Sequence, residues 1–406
     1  MAEIDLTAGG WVHDKPLAPL DQLSIRERNV ALCVQDLREH GPSTLSQASA
    51  RTTLSRPTVE SVFGHLATIG LVVETELDSH QSGRPAKRYK FDATAGYMAG
   101  IDLGVHAARM VVCDLAGTIV ESVEVRSSVE VGGPLTEVIS QVQQLVAAIE
   151  PAHRNIVTAG IGVTGLVGDN QILYSQRRPD WVGIDIVGAV SEVLGCPAVL
   201  ENDMNLAAVA EHRSGNARGA VDVICVFVGH RVSAGLIMDG QLRRGRHNAA
   251  GETSTSTFHL NVDEQGEIIW RDQRSTEEVF QLADQGNTEA AAEIEAFIDG
   301  LAEGISILSL AIDPDIVVLG GGVSRAGNQL LVPLRERVAL HMSIPTVPEL
   351  ALSSLDRTAV ALGALVRGFE STSSSAFGID GLSAPQIDAT CLNLPSKNRL
   401  ESKEYA

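Results

Sequence analysis

The sequence predicts a winged helix-turn-helix domain, all-α apart from its wing, followed by a larger α/β domain. Three helical patterns and then two short strand patterns occupy residues 23–92. After residue 93, apolar strand patterns alternate with amphipathic helices, which is typical of α/β domains whose sheets are covered on both faces. The length of 406 residues suits two or three such units.

The helices of the first domain are predicted from their caps and apolar stripes. The first helix runs from about residue 24 to 41, and a second, short helix follows residue 44. The third helix begins at Ser55, whose hydroxyl can cap it, and Pro57 suits its first turn. Its apolar stripe consists of Val59, Val62, Phe63, Leu66 and Ile69.

The outward side of this third helix and a basic loop predict a DNA-binding surface. Residues 71–73 and 88–91 have strand patterns, and the Gly- and Pro-containing loop between them forms a thin wing. A recognition helix reads base edges in the major groove, while an arginine on a wing can enter a narrow minor groove. The alternative is a small helical domain that binds protein and carries an ordinary basic loop. The predicted DNA contacts are Arg56, Thr58, Ser61, Arg84, Lys87 and Arg88.

The α/β domain is predicted from strands and helices that follow one another over residues 93–370. The long helical pattern over 288–312 and the amphipathic helix over 134–149 are its main predicted helices. Before the domain, residues 1–22 form an irregular leader. After it, residues 371–406 form a Ser-rich tail without periodicity, which predicts disorder. The predicted strands are 98–103, 109–114, 119–125, 156–163, 198–200, 221–228 and 316–319.

Charge and cysteine content restrict the classes of function. The net charge is −20, which argues against a protein that coats nucleic acid, so contact with DNA should be confined to one local surface. Residues 1–92 hold 10 Lys/Arg and 12 Asp/Glu, so the acidic excess lies in the remainder. The five cysteines form no CxxC pair, and no segment has the pattern of a membrane helix or a signal peptide. The sequence therefore predicts a soluble, cytoplasmic protein with reduced thiols and no membrane partner.

Seven short motifs occur in a fixed order along the chain. They are 55–59 (SRPTV), 82–85 (SGRP), 100–104 (GIDLG), 160–165 (GIGVTG), 201–205 (ENDMN), 245–252 (GRHNAAGE) and 317–323 (VVLGGGV). Together they resemble the ROK family of repressors, open reading frames and sugar kinases, and the resemblance runs from about residue 24 to 368. It implies a two-lobed, actin-like (ribonuclease H-like) ATPase fold with a cleft between the lobes.

The resemblance implies a sugar site in this cleft. Asp203 stands where the family keeps its catalytic base, which takes a proton from the attacking hydroxyl. Asn202 and Glu252 match residues that hold ring hydroxyls, and Glu278 matches another through a weaker alignment. A helix cap is the alternative for Asn202 and Asp203, and a surface carboxylate after a glycine turn is the alternative for Glu252. The predicted ligand-binding residues are Asn202, Asp203, Glu252, Gly165, His247 and Glu278.

The phosphate-binding stretches depart from the family pattern. The first usually reads DxGGT, whereas this chain has DLGVH over 102–106. The second usually reads GTGxGxG, whereas this chain has GHRVSAG over 229–235, where His230 and Arg231 occupy the space that glycines leave for phosphate. We therefore expect no ATP turnover. His230 and Arg231 could instead bind a phosphorylated sugar or another anion, or form a solvated loop, the commoner outcome. The glycines at 320–322 are interpreted as a strand-to-helix turn.

No metal and no cofactor are predicted. The family commonly supplies a zinc-binding histidine and a CxCGxxGC cluster. This chain has Thr255 at the histidine position and no cysteine in 266–278. His259 and His247 are isolated in the sequence, so they are interpreted as structural or near the ligand.

The predicted function is that of a DNA-binding transcriptional repressor controlled by a sugar or sugar derivative. Its expected partners are operator DNA, a sugar or sugar-phosphate effector and further copies of the chain in a homodimer or homotetramer. One alternative is an active ATP-dependent sugar kinase with a DNA-binding domain. Another is a regulator with no small ligand, controlled by a protein partner.

Overall fold

A computed structural model describes residues 24–75, 87–126, 133–253, 257–264 and 266–389. The predicted leader 1–22, Arg84 in the wing and residues 390–406 lie outside these ranges. Within them, no helix has the length and apolar character needed to cross a membrane.

The first domain has the predicted winged helix-turn-helix order. Ser55 caps the third helix by accepting a hydrogen bond from the Thr58 amide, as its position predicts. The strands form an antiparallel sheet in the order β1-β3-β2. The elements are α1 (Ile25–His40), β1 (Ser43–Thr44), α2 (Leu45–Thr52), α3 (Arg56–Thr68), β2 (Val72–Thr75) and β3 (Arg88–Phe91).

The first lobe of the α/β domain is built on a five-stranded sheet of order β10-β7-β4-β5-β6. Strands β4, β5 and β6 form an antiparallel meander, and β7 and β10 continue the sheet parallel to β4. The antiparallel pair β8 and β9 follows β7 as a separate hairpin. The elements are β4 (Tyr97–Leu103), β5 (Ala107–Asp114), β6 (Ile119–Arg126), α4 (Pro134–Ala148), β7 (Ile156–Val163), β8 (Leu166–Gly168), β9 (Gln171–Tyr174), α5 (Ile186–Leu194) and β10 (Ala198–Asn202).

The second lobe contains another five-stranded sheet, of order β13-β12-β11-β14-β15, and α6 leads into it from the first lobe. Its long helix α8 has the predicted bounds. The elements are α6 (Asp203–Ser214), β11 (Val223–Val228), β12 (Val232–Met238), β13 (Gln241–Leu242), α7 (Thr276–Asp284), α8 (Thr288–Ile312), β14 (Ile316–Gly320), α9 (Asn328–His341), β15 (Glu349–Leu352) and α10 (Ala359–Phe377).

Helix α10 returns from the second lobe and packs directly on the sheet of the first. Glycines make this contact possible, because a Cβ on Gly100 of β4 or Gly160 of β7 would overlap the α10 backbone. A Cβ on Gly363 would likewise overlap the backbone of α6. Strands β4 and β7 and helix α6 are therefore locked to α10, and all three lead to the cleft.

The predicted start of a disordered tail at residue 371 is wrong. Helix α10 continues to residue 377, and Ile379, Leu382 and Ile387 beyond it are each 3% exposed. They belong to a hydrophobic cluster that also contains side chains of α1, α3 and the β5–β6 turn. The segment contains few apolar residues. These residues are nevertheless buried, because they pack between the first domain and the first lobe. Residues 378–389 thus join the two domains.

Candidate ligand-binding cleft and DNA-reading surface

The β10–α6 junction positions Asn202 and Asp203 at the mouth of the cleft. The Asn202 side chain accepts a hydrogen bond from the Asn205 amide at 2.9 Å, so it caps α6. Its Nδ2 donates to the carbonyl oxygen of Gly165, also at 2.9 Å. Gly165 has φ +120°, and a Cβ there would overlap the Tyr174 carbonyl, so this turn requires glycine. The structure thus brings Asn202 and Gly165 together. The Asn202 side chain is a helix cap, and its contact with a sugar stays a prediction.

Asp203 is the first residue of α6, and its carboxylate accepts a hydrogen bond from the Met204 amide at 2.9 Å. The pKa of Asp203 is raised to about 7, mainly by burial and in smaller part by the charges of Asp102 and Glu252. A carboxyl group with such a pKa changes protonation near neutral pH. The three carboxylates therefore converge, which suits a ring of hydroxyl groups.

Arg109 is a charged neighbour of Asp102 that the sequence analysis missed. It lies opposite Asp102 in the antiparallel register of β4 and β5, with its Nη1 3.2 Å from Asp102 Oδ2. Its Nε donates to Glu124 at 2.7 Å. Burial raises the pKa of Asp102 to about 6, although Arg109 opposes the shift. Asp102 thus has a built-in cationic partner.

Glu252 reaches the cleft from the second lobe. Its loop is fixed to β12 because the Ala234 amide donates to the Gly251 carbonyl at 3.0 Å. Desolvation raises the pKa of Glu252, and the guanidinium of Arg231 opposes that shift. His247 is exposed in the preceding turn. Its role as a ligand contact stays a prediction.

Glu278 caps a helix, and its predicted contact with the ligand stays a prediction. Its carboxylate accepts a hydrogen bond from the Ser275 amide at 2.7 Å, and its own amide donates to the Ser275 hydroxyl at 3.2 Å. This reciprocal capping box begins α7 and occupies the side chain. The neighbouring Glu277 pairs with Arg325 at 2.7 Å, so this first turn lies against the 322–326 turn of the second lobe. Glu278 is a capping residue.

Glu201 and Arg244 form a second contact that the sequence analysis missed. Arg244 Nε donates to Glu201 Oε2 at 2.6 Å. Glu201 Oε1 accepts from the Asn202 amide and from the Asn205 side chain, both at 3.0 Å. Because Arg244 follows β13 and Glu201 lies on β10, the pair ties the second lobe to the α6 junction.

The two loops that correspond to phosphate cradles place their side chains near each other. The 104–107 turn is closed by a hydrogen bond of 3.1 Å, and the 229–231 turn by one of 3.0 Å. Their His106 and His230 rings have centroids 6.4 Å apart. Arg231 Nη1 donates to Gln176 Oε1 of the first lobe at 2.6 Å. Both loops therefore carry bulky side chains where small residues would let backbone amides approach phosphates.

No zinc-like arrangement is found among the residues that the structure describes, where no three His, Cys, Asp or Glu side chains are grouped to hold a metal ion. Thr255 lies outside those residues. His259 pairs with Glu303 at 2.8 Å. The absence of zinc stays a prediction.

The outward side of α3 presents two of the predicted DNA contacts freely. Arg56 and Ser61 are exposed. Thr58 is half-buried, and its hydroxyl lies 2.7 Å from that of Ser55. Thr58 therefore also supports the cap. The sequence analysis missed Glu60 and Gly64, which are exposed on the same helix.

The described base of the wing carries the other predicted contacts. Lys87 is exposed and pairs with Glu74 at 2.9 Å. Arg88 is half-buried on β3. Lys87 and Glu74 form a surface ion pair, and such pairs are weak. A DNA phosphate can therefore replace Glu74 as the partner of Lys87.

A domain with winged helix-turn-helix order precedes two lobes that each contain a five-stranded sheet, and carboxylates of both lobes lie near one another. These features define a sugar-kinase-like domain of the actin-like fold fused to a helix-turn-helix domain. The chain belongs to the ROK family, whose model matches residues 98–268 and 260–366. The family predicted from the motifs is therefore confirmed.

Relatives of this chain include both repressors and kinases. The xylose repressor of Bacillus subtilis strain 168 is 23% identical over 367 residues, which cover 84% of this chain and 95% of that protein. The glucokinase of Halalkalibacterium halodurans is 23% identical over 314 residues, covering 66% of this chain and 93% of that protein.

Solved structures confirm the fold. A ROK family transcriptional regulator, described as a homologue of the E. coli MLC protein, has a TM-score of 0.67 at 18% identity, covering 88% of this chain and 98% of that one. A ROK glucokinase from Streptomyces griseus, solved with glucose and AMPPNP, has a TM-score of 0.55 at 24% identity, covering 66% and 98%.

Proposed function

We propose that the chain is a transcriptional repressor of the cytoplasm whose cleft binds a sugar and no longer transfers phosphate. One observation carries the proposal: the cleft keeps three neighbouring carboxylates, while His106 and His230 stand on the two loops that correspond to phosphate cradles. Asp203 and Glu252 remain available to hydroxyl groups. The His106 and His230 rings are arranged edge to face, with centroids 6.4 Å apart.

The relatives support a regulator more than a kinase. The Bacillus repressor matches 84% of this chain, whereas the glucokinase matches 66%. The name of that repressor makes xylose one of the sugars to test.

Arg109 gives a physical reason why the kinase alternative is disfavoured. A kinase needs Mg²⁺ to bridge and neutralise the phosphates. Here the guanidinium of Arg109 already compensates Asp102 at the first phosphate loop. An internal cation thus stands at a carboxylate that would otherwise be available to a metal ion.

We expect no sugar-dependent ATP hydrolysis or phosphorylation above background. The assay couples ADP release to NADH oxidation with Mg²⁺ and a panel of hexoses, pentoses and amino sugars, with a ROK glucokinase as positive control. Turnover in the ordinary kinase range of about 1–100 s⁻¹ would establish the kinase alternative instead.

The winged helix supplies the proposed operator contacts. Arg56 can grip guanine bidentately, and Ser61 lies further along the same outward side. Two or four copies of the chain would pair such helices on repeated half-sites and raise the affinity. Control by a protein partner alone, with no small ligand, remains the other regulatory alternative. Thermal stabilisation by a sugar would exclude it.

Gly64 is an unusual residue for the interior of a recognition helix. It is exposed, and a Cβ added there would meet no atom within 4 Å. Glycine costs a helix about 1 kcal/mol relative to alanine, so the protein's own packing gives no reason for it. Close approach of the DNA to the helix backbone is a reason.

Replacing Gly64 with alanine is therefore expected to stabilise α3 by about 1 kcal/mol and yet weaken operator binding by roughly tenfold. Amide hydrogen exchange reports the first effect, and fluorescence anisotropy with a selected operator reports the second. Ser191→Ala in α5 is the control, since it improves helix propensity away from the DNA. Unchanged operator affinity in Gly64→Ala would show that DNA does not approach this residue closely.

A further inference from the structure

Three basic side chains lie on the two neighbouring loops that correspond to phosphate cradles. We name His106, His230 and Arg231 the basic corner. His106 comes from the first lobe, and the other two come from the β11–β12 turn of the second. The His230 carbonyl accepts the Ile268 amide at 2.6 Å, and the turn is closed between Gly229 and Arg231. The position of the corner is therefore fixed by backbone hydrogen bonds on the second lobe.

Arg231 has a donor that the described protein does not satisfy. Its Nη1 is bound to Gln176 Oε1 at 2.6 Å, so the guanidinium is held in place. Its Nε is buried without a hydrogen-bond partner among the described residues. A buried donor without a partner is unfavourable, and a ligand with an acceptor oxygen would satisfy it. Arginine in such a place favours the planar oxygens of a phosphate or carboxylate.

The basic corner and the carboxylates belong to one cleft. Arg231 lies close enough to Glu252 to influence its charge, and Glu252 in turn influences Asp203. The hydrogen bond from the Ala234 amide to the Gly251 carbonyl likewise places Glu252 beside the strand that follows Arg231. A neutral sugar would satisfy the acidic end alone. A sugar with an acidic substituent would satisfy both ends.

We propose that the effector is an acidic sugar, whose hydroxyl groups face Asp203 and Glu252 and whose phosphate or carboxylate group lies between His106, His230 and Arg231. This inference rests on the proposed function and specifies its ligand. The Arg231–Gln176 hydrogen bond holds the guanidinium at the corner, and the His106 and His230 ring centroids lie 6.4 Å apart across the two loops.

The test compares each sugar with its own acidic derivatives by isothermal titration calorimetry on the full chain. The probes are glucose, glucose 6-phosphate and glucuronate, the corresponding series of xylose and N-acetylglucosamine, and inorganic phosphate alone. We expect an acidic member to bind at least roughly tenfold more tightly than its neutral parent, an increment of about 1.4 kcal/mol. Phosphate esters and sugar acids are separate arms, so the preferred anion is identified directly.

Arg231→Met and His230→Gln are expected to reduce this affinity ratio to near one. Because both affinities are measured on the same sample, their ratio does not depend on how much of the protein is folded. The second variant keeps the test decisive if the first one misfolds. His259→Gln is the matched control, a surface histidine of the same lobe, and should keep the native ratio. Equal affinity for acidic and neutral sugars, or a ratio that both variants preserve, would overturn the inference.

Two further outcomes test the proposed sugar cleft independently of the acidic effector. If a neutral sugar binds the native chain but not the Asp203→Asn variant, the sugar cleft is supported, even when acidic derivatives bind no more tightly than that sugar. Absence of binding by every probe would overturn the sugar cleft and the acidic effector together.

Discussion

Replacing Asp203 with asparagine is expected to weaken sugar binding by roughly ten- to a hundredfold, since a hydrogen bond to a charged group contributes about 1.5–3 kcal/mol. Asparagine keeps an oxygen for the Met204 amide, so the start of α6 is preserved. What is lost is the charge that can accept strongly from a ring hydroxyl. Glu289→Gln, at an exposed carboxylate in the first turn of α8, is the matched control.

The pH dependence of neutral-sugar affinity provides an independent signature of Asp203. Burial raises the pKa of this carboxyl to about 7, so it is mostly protonated below that pH and ionised above it. Affinity for a neutral sugar should therefore rise as pH increases from 6 to 8, and the rise should be absent in Asp203→Asn. Calorimetric titrations at several pH values measure this. A native-like affinity and pH profile in the variant would remove Asp203 from the site.

Replacing Arg38 with methionine is expected to abolish most of the sugar's effect on operator binding while leaving sugar binding in place. Arg38 lies on α1, with its guanidinium 5.0 Å from the Phe91 ring centre and 5.4 Å from that of Phe369. Its Nη1 donates to the Ser383 carbonyl at 2.9 Å. One side chain thus joins the winged helix, α10 and the C-terminal segment.

The expected uncoupling follows from how α10 is packed. This helix contacts α6, which begins at Asp203, and it ends near the residues that hold Arg38. A movement of α6 on sugar binding can reach the winged helix through α10, and Arg38 is the polar connection at the far end. Burial lowers the pKa of Arg38 to about 10, which agrees with its enclosed position.

The Arg38 experiment measures the ratio of operator affinities with and without saturating sugar. Losing the cation–π contacts and the hydrogen bond should also destabilise this interface by about 1–3 kcal/mol. Arg26→Met, an exposed arginine on the same helix, is the control and should keep the native ratio. A native ratio in Arg38→Met would mean that the signal does not pass through this contact.

Local patterns predicted the elements whose burial follows a regular period. Helices α3 and α8 and strand β7 have the predicted bounds within a residue or two because caps and apolar runs determine them locally. The family motifs brought Asn202, Asp203 and Gly165 to one place correctly. At Glu278 the pattern Ser-x-x-Glu from 275 to 278 is the signature of a capping box, which the structure shows, and sugar contact there stays a prediction.

The remaining parts of the structure depend on distant contacts. Arg109 meets Asp102 through the register of an antiparallel pair, which a tight turn at 104–106 could have suggested. Leu382 and Ile387 are isolated apolar residues in a polar segment, and they are buried because another domain covers them. Neither a helical nor a strand period carries such information.

The central claim is that sugar in a cleft without phosphate transfer controls DNA reading. Its most direct test is a fluorescence anisotropy titration of a selected operator with the full chain, with and without the tightest-binding sugar and in the absence of ATP. The account predicts that sugar changes operator affinity by roughly tenfold or more in the native chain, within the usual range of allosteric coupling, and has no effect in Asp203→Asn. An operator affinity that no bound sugar alters, or that changes only when ATP is added, would contradict it.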